Sequence, residues 1–208
     1  MSYACPCWEA PVPEIRFCPE HHLYMVGDRK LTSVSTIIKS TWPIKPDFTN
    51  ADPAVLEHAR VRGIRVDSYF QQYLAGECRL AANEWTDVAH RLDMLIEWWE
   101  SQRIEGAIAT QVMLHAGDIA GTPDLIVGNG SIYDLKCTSR LEPIYAMQVG
   151  GYADLYEQMI GEAPEELGLI HVTKRDVRFV PVDKNDVNEW RQLRDMWRLV
   201  QRRQHRSL

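Results

Sequence analysis

Two short segments near the middle of the chain contain the residues best suited to chemistry. Gly121-Thr122-Pro123-Asp124 is followed ten residues later by Asp134-Leu135-Lys136. Asp134 and Lys136 lie two residues apart in residues 131–137, an apolar run that is typical of a β-strand. Because side chains alternate along a strand, both are expected on one face of a sheet, with Leu135 on the other.

A glycine-rich turn is expected to bring the two aspartates together. Asp124 begins a second strand-like run, and Gly128-Asn129-Gly130 separates it from the run that contains Asp134. Such a turn between apolar runs predicts an antiparallel hairpin. Two carboxylates about 4 Å apart repel by roughly 4 kcal/mol at an effective dielectric of 20. A close pair therefore requires a proton or a cation between them.

The residue types predict which cation the site binds and which reaction it supports. Magnesium and manganese prefer oxygen ligands and leave positions for water and phosphate oxygens. Asp124 and Asp134 are the predicted ligands, with the backbone carbonyl of Leu135 as a third. Lys136 is expected to orient or help deprotonate the attacking water and to offset charge on the phosphate. Each piece alone is common in proteins without such a site, but their order and spacing together favour phosphodiester hydrolysis.

A helix is expected after this hairpin. Residues 143–159 read as a helix with Pro143 in its first turn. Gln148 and Tyr152 are four residues apart and share one face, which can point back toward the hairpin. We expect these two side chains to position the substrate or a nearby water.

Taken together, Asp124, Asp134-x-Lys136 and Gln148-x-x-x-Tyr152 resemble the motifs of the PD-(D/E)xK nuclease superfamily, in particular its RecB-like exonuclease branch. The sequence also resembles phage-type and mitochondrial genome maintenance exonucleases, and this similarity extends over residues 17–182. It includes His22-Leu23-Tyr24, Gly27, residues 31–38 and Arg62-Gly63. The resemblance implies an α/β fold, with a mixed central sheet of about five strands flanked by helices and an N-terminal β-hairpin.

The resemblance also implies a function. It implies an exonuclease that acts on linear single- or double-stranded DNA in phage-type recombination or repair, using Mg²⁺ or Mn²⁺, with two ions the expected number. The resemblance is also compatible with a recombination protein as a binding partner of this chain. Two positions depart from the family pattern: Asp67 replaces a histidine of the metal site, and Gln111 replaces a frequent glutamate. Both are expected to act as auxiliary metal ligands, Gln111 more weakly because its amide is neutral.

Two other functions use the same residues. An endonuclease of the same superfamily would cut closed circles as well as linear DNA. A catalytically impaired DNA-binding module is motivated by Asp67 and Gln111, and it would bind DNA without cutting it. The sequence leaves strand polarity, strand preference and oligomeric state open.

Length and composition predict a single α/β or α+β domain over residues 1–208. The chain has 208 residues, 45% of them apolar and 25% charged, which are values of globular domains. Residues 1–50 are expected to form the N-terminal hairpin elaboration and residues 184–208 a basic C-terminal helix. The N-terminus lacks the basic and apolar regions of a signal peptide, so a cytoplasmic protein without membrane contact is expected. Five cysteines suggest reduced thiols and no iron–sulfur cluster.

The net charge of −6 is unevenly distributed. Residues 174–208 contain ten basic and five acidic residues, and the apolar positions of residues 186–204 fall on one helical stripe. The arginines of that helix are therefore expected to face outward, where they could meet a nucleic-acid backbone. An ordinary solvated helix is an equally good interpretation.

The remaining patterns predict the rest of the core. Helices are expected over residues 52–74 and 85–102. Strands are expected over residues 15–25, 30–34, 106–114, 118–127, 167–173 and 177–182. Tyr69, Phe70 and Tyr73 are candidates for stacking on unpaired bases, with core packing the better interpretation for at least two of them.

Overall fold

The strands form two mixed five-stranded sheets. The computed structural model describes residues 14–18, 20–21, 23–43, 52–128 and 130–204. The strands are β1 (Ile15–Cys18), β2 (Leu23–Val26), β3 (Arg29–Ser33), β4 (Ile108–Thr110), β5 (Leu114–Ala116), β6 (Ile119–Gly121), β7 (Leu125–Val127), β8 (Ser131–Lys136), β9 (Leu167–Val172) and β10 (Val177–Pro181). The helices are α1 (Val34–Thr41), α2 (Pro53–Leu74), α3 (Thr86–Gln102), α4 (Pro143–Ile160) and α5 (Lys184–Gln204).

The first sheet has the strand order β1-β2-β3-β6-β5, and the second has the order β10-β9-β8-β7-β4. The predicted mixed α/β architecture with flanking helices and an N-terminal hairpin is confirmed. The predicted mixed sheet of five strands is present, and a second five-stranded sheet accompanies it because the strands expected over residues 106–114 and 118–127 are both interrupted. Their first and second halves pair in different sheets. Within the described parts of the chain, no helix has both the length and the apolar character needed to cross a bilayer.

The N-terminal region differs in detail from the predicted hairpin. The strand expected over residues 15–25 is two strands, β1 and β2, which pair with each other. Helix α1 follows β3 directly and was not expected. Ser33 caps α1, since its hydroxyl accepts a hydrogen bond from the Thr36 N–H at 3.1 Å. Its buried residues Val34, Ile37 and Ile38 have the i, i+3, i+4 spacing of an apolar helix face.

The predicted hairpin of β7 and β8 is confirmed. The strands pair antiparallel, with Leu125 opposite Tyr133 and Val127 opposite Ser131. Gly128 and Gly130 have φ angles of 52° and 96°. A side chain disfavours these left-handed conformations, which explains the two glycines of the turn. Asn129, the third residue of the predicted turn, lies outside the described residues.

Different helices cover the two faces of the second sheet. Tyr133 and Leu135 pack in the apolar cluster that contains residues of α2 and α3. Ile132 packs in the cluster that contains residues of α4 and α5. Because side chains alternate along a strand, Asp134 and Lys136 lie on the Ile132 face, beside α4. The predicted placement of both on one face, with Leu135 on the other, is confirmed.

Two adjacent glycines allow other helices to approach α4 closely. A Cβ atom on Gly150 would lie 2.9 Å from the Asp186 carbonyl oxygen of α5. A Cβ atom on Gly151 would lie 2.5 Å from Val34 of α1 and 3.2 Å from the Trp190 ring. Side chains at these positions would push both helices away, so the pair sets the spacing of the helical layer.

A buried carboxylate joins α4 to α5. Asp154 is 3% exposed. It accepts hydrogen bonds from Trp190 Nε1 at 3.1 Å, Arg191 Nε at 3.0 Å and Arg194 Nη1 at 2.5 Å. A charge buried in this way is stable only when it is paired and hydrogen-bonded. These hydrogen bonds therefore fix the position of α5 relative to α4.

These contacts change the interpretation of the basic C-terminal helix. Arg191 and Arg194 bind Asp154, and Arg198 Nη2 donates to Asp118 Oδ1 at 2.9 Å. The prediction that the arginines face outward is wrong for Arg194, whose side chain is 15% exposed. Much of the basic charge of α5 is therefore neutralised within the chain.

We expect Asp154→Ala to lower the free energy of unfolding by about 3 kcal/mol, because it removes the buried carboxylate that Arg191 and Arg194 share and leaves the buried Trp190 Nε1 without this acceptor. Chemical denaturation measures the change. Asp195→Ala is the matched control: Asp195 also pairs with Arg194, but its side chain is 64% exposed, so the loss should stay below about 1 kcal/mol. Equal losses in the two variants would contradict a structural role for Asp154.

Candidate active site

The hairpin register places Asp124 and Asp134 opposite each other. Leu125 pairs with Tyr133 as the last described pair of β7 and β8, so continuing the register by one residue aligns the two aspartates. Side chains directly opposite on an antiparallel pair have Cβ atoms about 4.5–5.5 Å apart. The convergence predicted from the spacing is thus present in the structure.

The backbone of Leu135 also faces Asp124. The Leu135 N–H donates to Asp124 Oδ2 at 2.7 Å. In an extended strand, the N–H and C=O groups of one residue point to the same side. The Leu135 carbonyl oxygen therefore faces the Asp124 side of β8, as its predicted role as a ligand requires.

Lys136 is held as a cation between the acidic side chains. Its ammonium group forms an ion pair with Asp134 Oδ2 and lies 5.2 Å from the centre of the Tyr145 ring. Burial by itself would lower the pKa of Lys136, but the charges of Asp134 and Asp124 outweigh burial and raise it. Lys136 therefore carries a positive charge, which suits it to orient a water or a phosphate better than to remove a proton.

The site contains more negative than positive charge. Burial, and then repulsion from Asp134 and Asp67, raise the pKa of Asp124 well above its usual range. Burial and the Asp134 charge likewise raise the pKa of Asp67. Three carboxylates thus share one ammonium, and two negative charges stay uncompensated when all are ionised. A divalent cation with oxygen ligands fits this donor set.

The arrangement is less than a complete metal cage. In the part of the chain that the structure describes, no three acidic, histidine or cysteine side chains are grouped as a metal-binding set. The donors best placed for an ion are the Asp124 and Asp134 carboxylates together with the Leu135 carbonyl. Any further ligands would come from the auxiliary positions Gln111 and Asp67, from water or from substrate.

The two predicted auxiliary ligands, Gln111 and Asp67, differ in how they interact with the acidic pair. Gln111 Nε2 donates to Asp124 Oδ1 at 3.2 Å, and the residue has a φ of 52° at the break between β4 and β5. Asp67 on α2 instead accepts a hydrogen bond from Gln71 Nε2 at 3.0 Å. Gln111 therefore contacts the acidic pair directly, whereas Asp67 interacts with it through charge.

Helix α4 contributes the remaining predicted residues. Gln148 Nε2 donates to the Tyr152 hydroxyl at 2.6 Å. Tyr152 packs so closely on Gly121 that a Cβ atom there would lie 2.7 Å from its ring. Burial and the charges of Asp134 and Asp124 raise the pKa of Tyr152 well above its usual value. Its hydroxyl therefore keeps its proton and can donate to a substrate oxygen.

All the predicted side chains meet in one cleft of about 950 Å³. Its lining includes Asp67, Gln111, Asp124, Asp134, Lys136, Gln148 and Tyr152. The aromatic residues proposed to stack on bases are elsewhere: Phe70 is buried against Trp99, and the hydroxyls of Tyr69 and Tyr73 donate to Glu84 and Glu100. For Phe70 the preferred interpretation, core packing, is confirmed, and none of the three is among the described residues that line the cleft.

Helix α5 does not adjoin this cleft. Successive residues of a helix are separated by about 100°. Gln148 and Tyr152 therefore lie on one side of α4, and Gly150 and Asp154, which contact α5, lie on the opposite side. A DNA-binding role for the α5 arginines at the cleft is not favoured by this placement.

Sequence reasoning missed two parts of the site. Tyr145, in the first turn of α4, lies beside Lys136, and Tyr24 of β2 shares a hydrogen bond of 2.8 Å with Thr122. The second contact ties the first sheet to the segment that leads into Asp124. The local sequence pattern shows neither of these two contacts, because each joins residues that are far apart in the chain or that lie on different elements.

Comparison with solved structures supports the fold. A proposed exonuclease from Eubacterium rectale is 16% identical to this chain, with a TM-score of 0.54, covering 80% of this chain and 77% of its own. An alkaline exonuclease from Laribacter hongkongensis, also solved in complex with dAMP, is 10% identical with a TM-score of 0.38, covering 86% and 95%. No family model matches the chain, and no curated protein is significantly similar to it. The chain is therefore similar in fold to the Eubacterium rectale protein.

Proposed function

We propose that this chain is a metal-dependent deoxyribonuclease of the PD-(D/E)xK superfamily, acting as an exonuclease in phage-type DNA recombination or repair. The observation that carries the proposal is the convergence of Asp124, Asp134 and Lys136 in one cleft. The fold shared with a proposed exonuclease supports it. The nucleic acid would enter the cleft with its phosphate toward the acidic pair.

Mg²⁺ or Mn²⁺ would be held by Asp124, Asp134 and the Leu135 carbonyl, and when bound would activate a water and neutralise charge on the phosphate. Leu135 N–H keeps Asp124 oriented toward the centre. The Lys136 ammonium orients the attacking water and offsets negative charge that builds on the phosphate. The protonated Tyr152 hydroxyl, fixed by Gln148, donates to a substrate oxygen. Gln111 and Asp67 are the proposed auxiliary ligands.

One assay separates the proposed function from its alternatives. End-labelled linear single-stranded and double-stranded DNA and a closed circle are each incubated with and without Mn²⁺. Mononucleotides released from linear DNA alone are the expected result. Cleavage of the circle would identify an endonuclease, and binding without cleavage of any substrate would identify a DNA-binding module.

Asp124→Asn is expected to reduce metal-dependent cleavage on the order of 10³-fold or more, because an amide cannot replace the charge of a carboxylate ligand. The initial rate on end-labelled DNA in Mn²⁺ measures the effect, and circular dichroism verifies that the fold is retained. Asp118→Asn, an exposed aspartate paired with Arg198, is the control and should keep wild-type activity. Full activity of Asp124→Asn would refute the assignment.

Lys136→Ala is expected to slow the chemical step by on the order of 10²–10³, the range for loss of one group that stabilises charge developing in the transition state. Single-turnover kinetics at saturating DNA and metal isolate that step. Lys39→Ala removes an exposed lysine of α1 that does not line the cleft, and it should leave the rate unchanged. A change below about threefold for Lys136→Ala would exclude this residue from the proposed mechanism.

Gln111→Glu should lower the Mn²⁺ concentration that gives half-maximal activity, by about tenfold, because a carboxylate replaces a neutral amide beside Asp124. A metal titration of activity measures the shift, and Mn²⁺ binding followed by electron paramagnetic resonance measures affinity directly. Gln148→Glu is the comparison, since Gln148 faces Tyr152 instead. Unchanged Mn²⁺ dependence in Gln111→Glu would remove this position from the metal site.

A further inference from the structure

The outward side of α5 carries an exposed apolar patch. Met196, Leu199 and Val200 are 59%, 46% and 45% exposed. Their i, i+3, i+4 spacing brings the three side chains together on one surface of the helix. Single exposed apolar side chains are ordinary, whereas a contiguous group marks a surface that contacts another molecule. We call Met196, Leu199 and Val200 the α5 patch.

The α5 patch faces away from the rest of the described structure. Val187 and Trp190 are buried and form the core side of the same helix. At about 100° per residue, they lie roughly 180° and 120° around the helix from Met196. The core side packs on α4, and the catalytic cleft lies on the opposite side of α4. The α5 patch and the cleft therefore open on different sides of the molecule.

The α5 patch is the centre of a longer stripe. Glu189, Gln192, Met196, Leu199 and Arg203 follow one another at alternating spacings of three and four residues, and all five are exposed. This spacing is the heptad seam along which two helices pack side by side. The two ends of the stripe carry opposite charges, Glu189 toward the start of α5 and Arg203 toward its end.

The positions of these charges make the stripe complementary to itself. Glu189 and Arg203 each lie seven residues from Met196. If two copies of α5 pair antiparallel about a two-fold axis near Met196, Glu189 of each copy meets Arg203 of its partner. A parallel pair would place like charges together instead. Such a two-fold contact is the commonest symmetry of homo-oligomers, because the same surface serves both copies.

We propose that the α5 patch is the interface through which two copies of this chain associate, with their α5 helices antiparallel. One helix from each copy forms the contact, so the interface is smaller than the roughly 1,200 Å² of a stable complex. Association is therefore weak, with a dissociation constant of roughly 10–100 µM. Both clefts of the dimer stay open to solvent, so the proposal does not rest on the nuclease function.

Sedimentation equilibrium of the full chain without DNA, from about 1 to about 300 µM, measures the association. The mean mass of the wild type should rise from 24.0 kDa toward twice that value. Leu199→Glu buries a charge in the proposed interface and should stay monomeric over the whole range. Leu80→Glu is the matched control, because Leu80 is 41% exposed and lies outside α5. It should associate as the wild type does.

A charge exchange tests the antiparallel arrangement. Glu189→Arg and Arg203→Glu should each weaken association by about tenfold, because each variant brings like charges together twice in the dimer. The double variant should return the dissociation constant to within about threefold of the wild type, since the two charges are coupled. Higher salt should reduce these differences. Circular dichroism verifies that every variant is folded.

Each of the other outcomes would contradict the proposal. A wild-type chain that stays monomeric would indicate that another segment or another protein covers the α5 patch. Association that Leu199→Glu leaves unchanged would place the contact elsewhere on the molecule. Single charge variants without effect, or a double variant that associates no better than they do, would exclude the antiparallel pair. Cleavage assays are independent of these results, and at low protein concentration Leu199→Glu should cut DNA at the wild-type rate.

Discussion

The repulsion between Asp124 and Asp134 is the interaction around which this structure is organised. The hairpin register forces the two carboxylates together, and burial raises the pKa of Asp124 further. The chain offsets this cost with the Leu135 N–H and the Lys136 ammonium, which come from β8, and with the Gln111 amide at the break between β4 and β5. Charge still exceeds what Lys136 neutralises. This excess of negative charge is the feature on which the proposed binding of a divalent cation rests.

Helix α4 connects the chemistry to the stability of the fold. One side of it presents Gln148 and Tyr152 to the cleft, and the other side binds α5 through Asp154. Gly121 and Gly151 remove the side chains that would keep Tyr152 and Trp190 at a distance. The helix therefore cannot shift toward one partner without losing contact with the other, which keeps the site residues in place.

Because the strands are divided into two sheets, the cleft has one acidic side and one apolar side. The second sheet supplies the acidic pair and Lys136, and the first supplies Phe17 and Tyr24. The Tyr24 to Thr122 hydrogen bond links the sheets at the segment that enters Asp124. A single continuous sheet would place both groups along one surface instead of around a cleft. The acidic and the apolar sides of the cleft thus come from separate sheets.

The sequence by itself determined the local parts of this site. Alternation placed Asp134 and Lys136 on one face of β8, and two glycines set the turn. Cap and proline signals located α2 and α4, and apolar stripes located α3 and α5, within a few residues. The break at Gln111 and the neutralisation of Arg194 by Asp154 were decided only by the tertiary structure. Short-range patterns report which face of an element is apolar. They carry no information about which distant strand or carboxylate meets that face, because such contacts depend on how the whole chain packs.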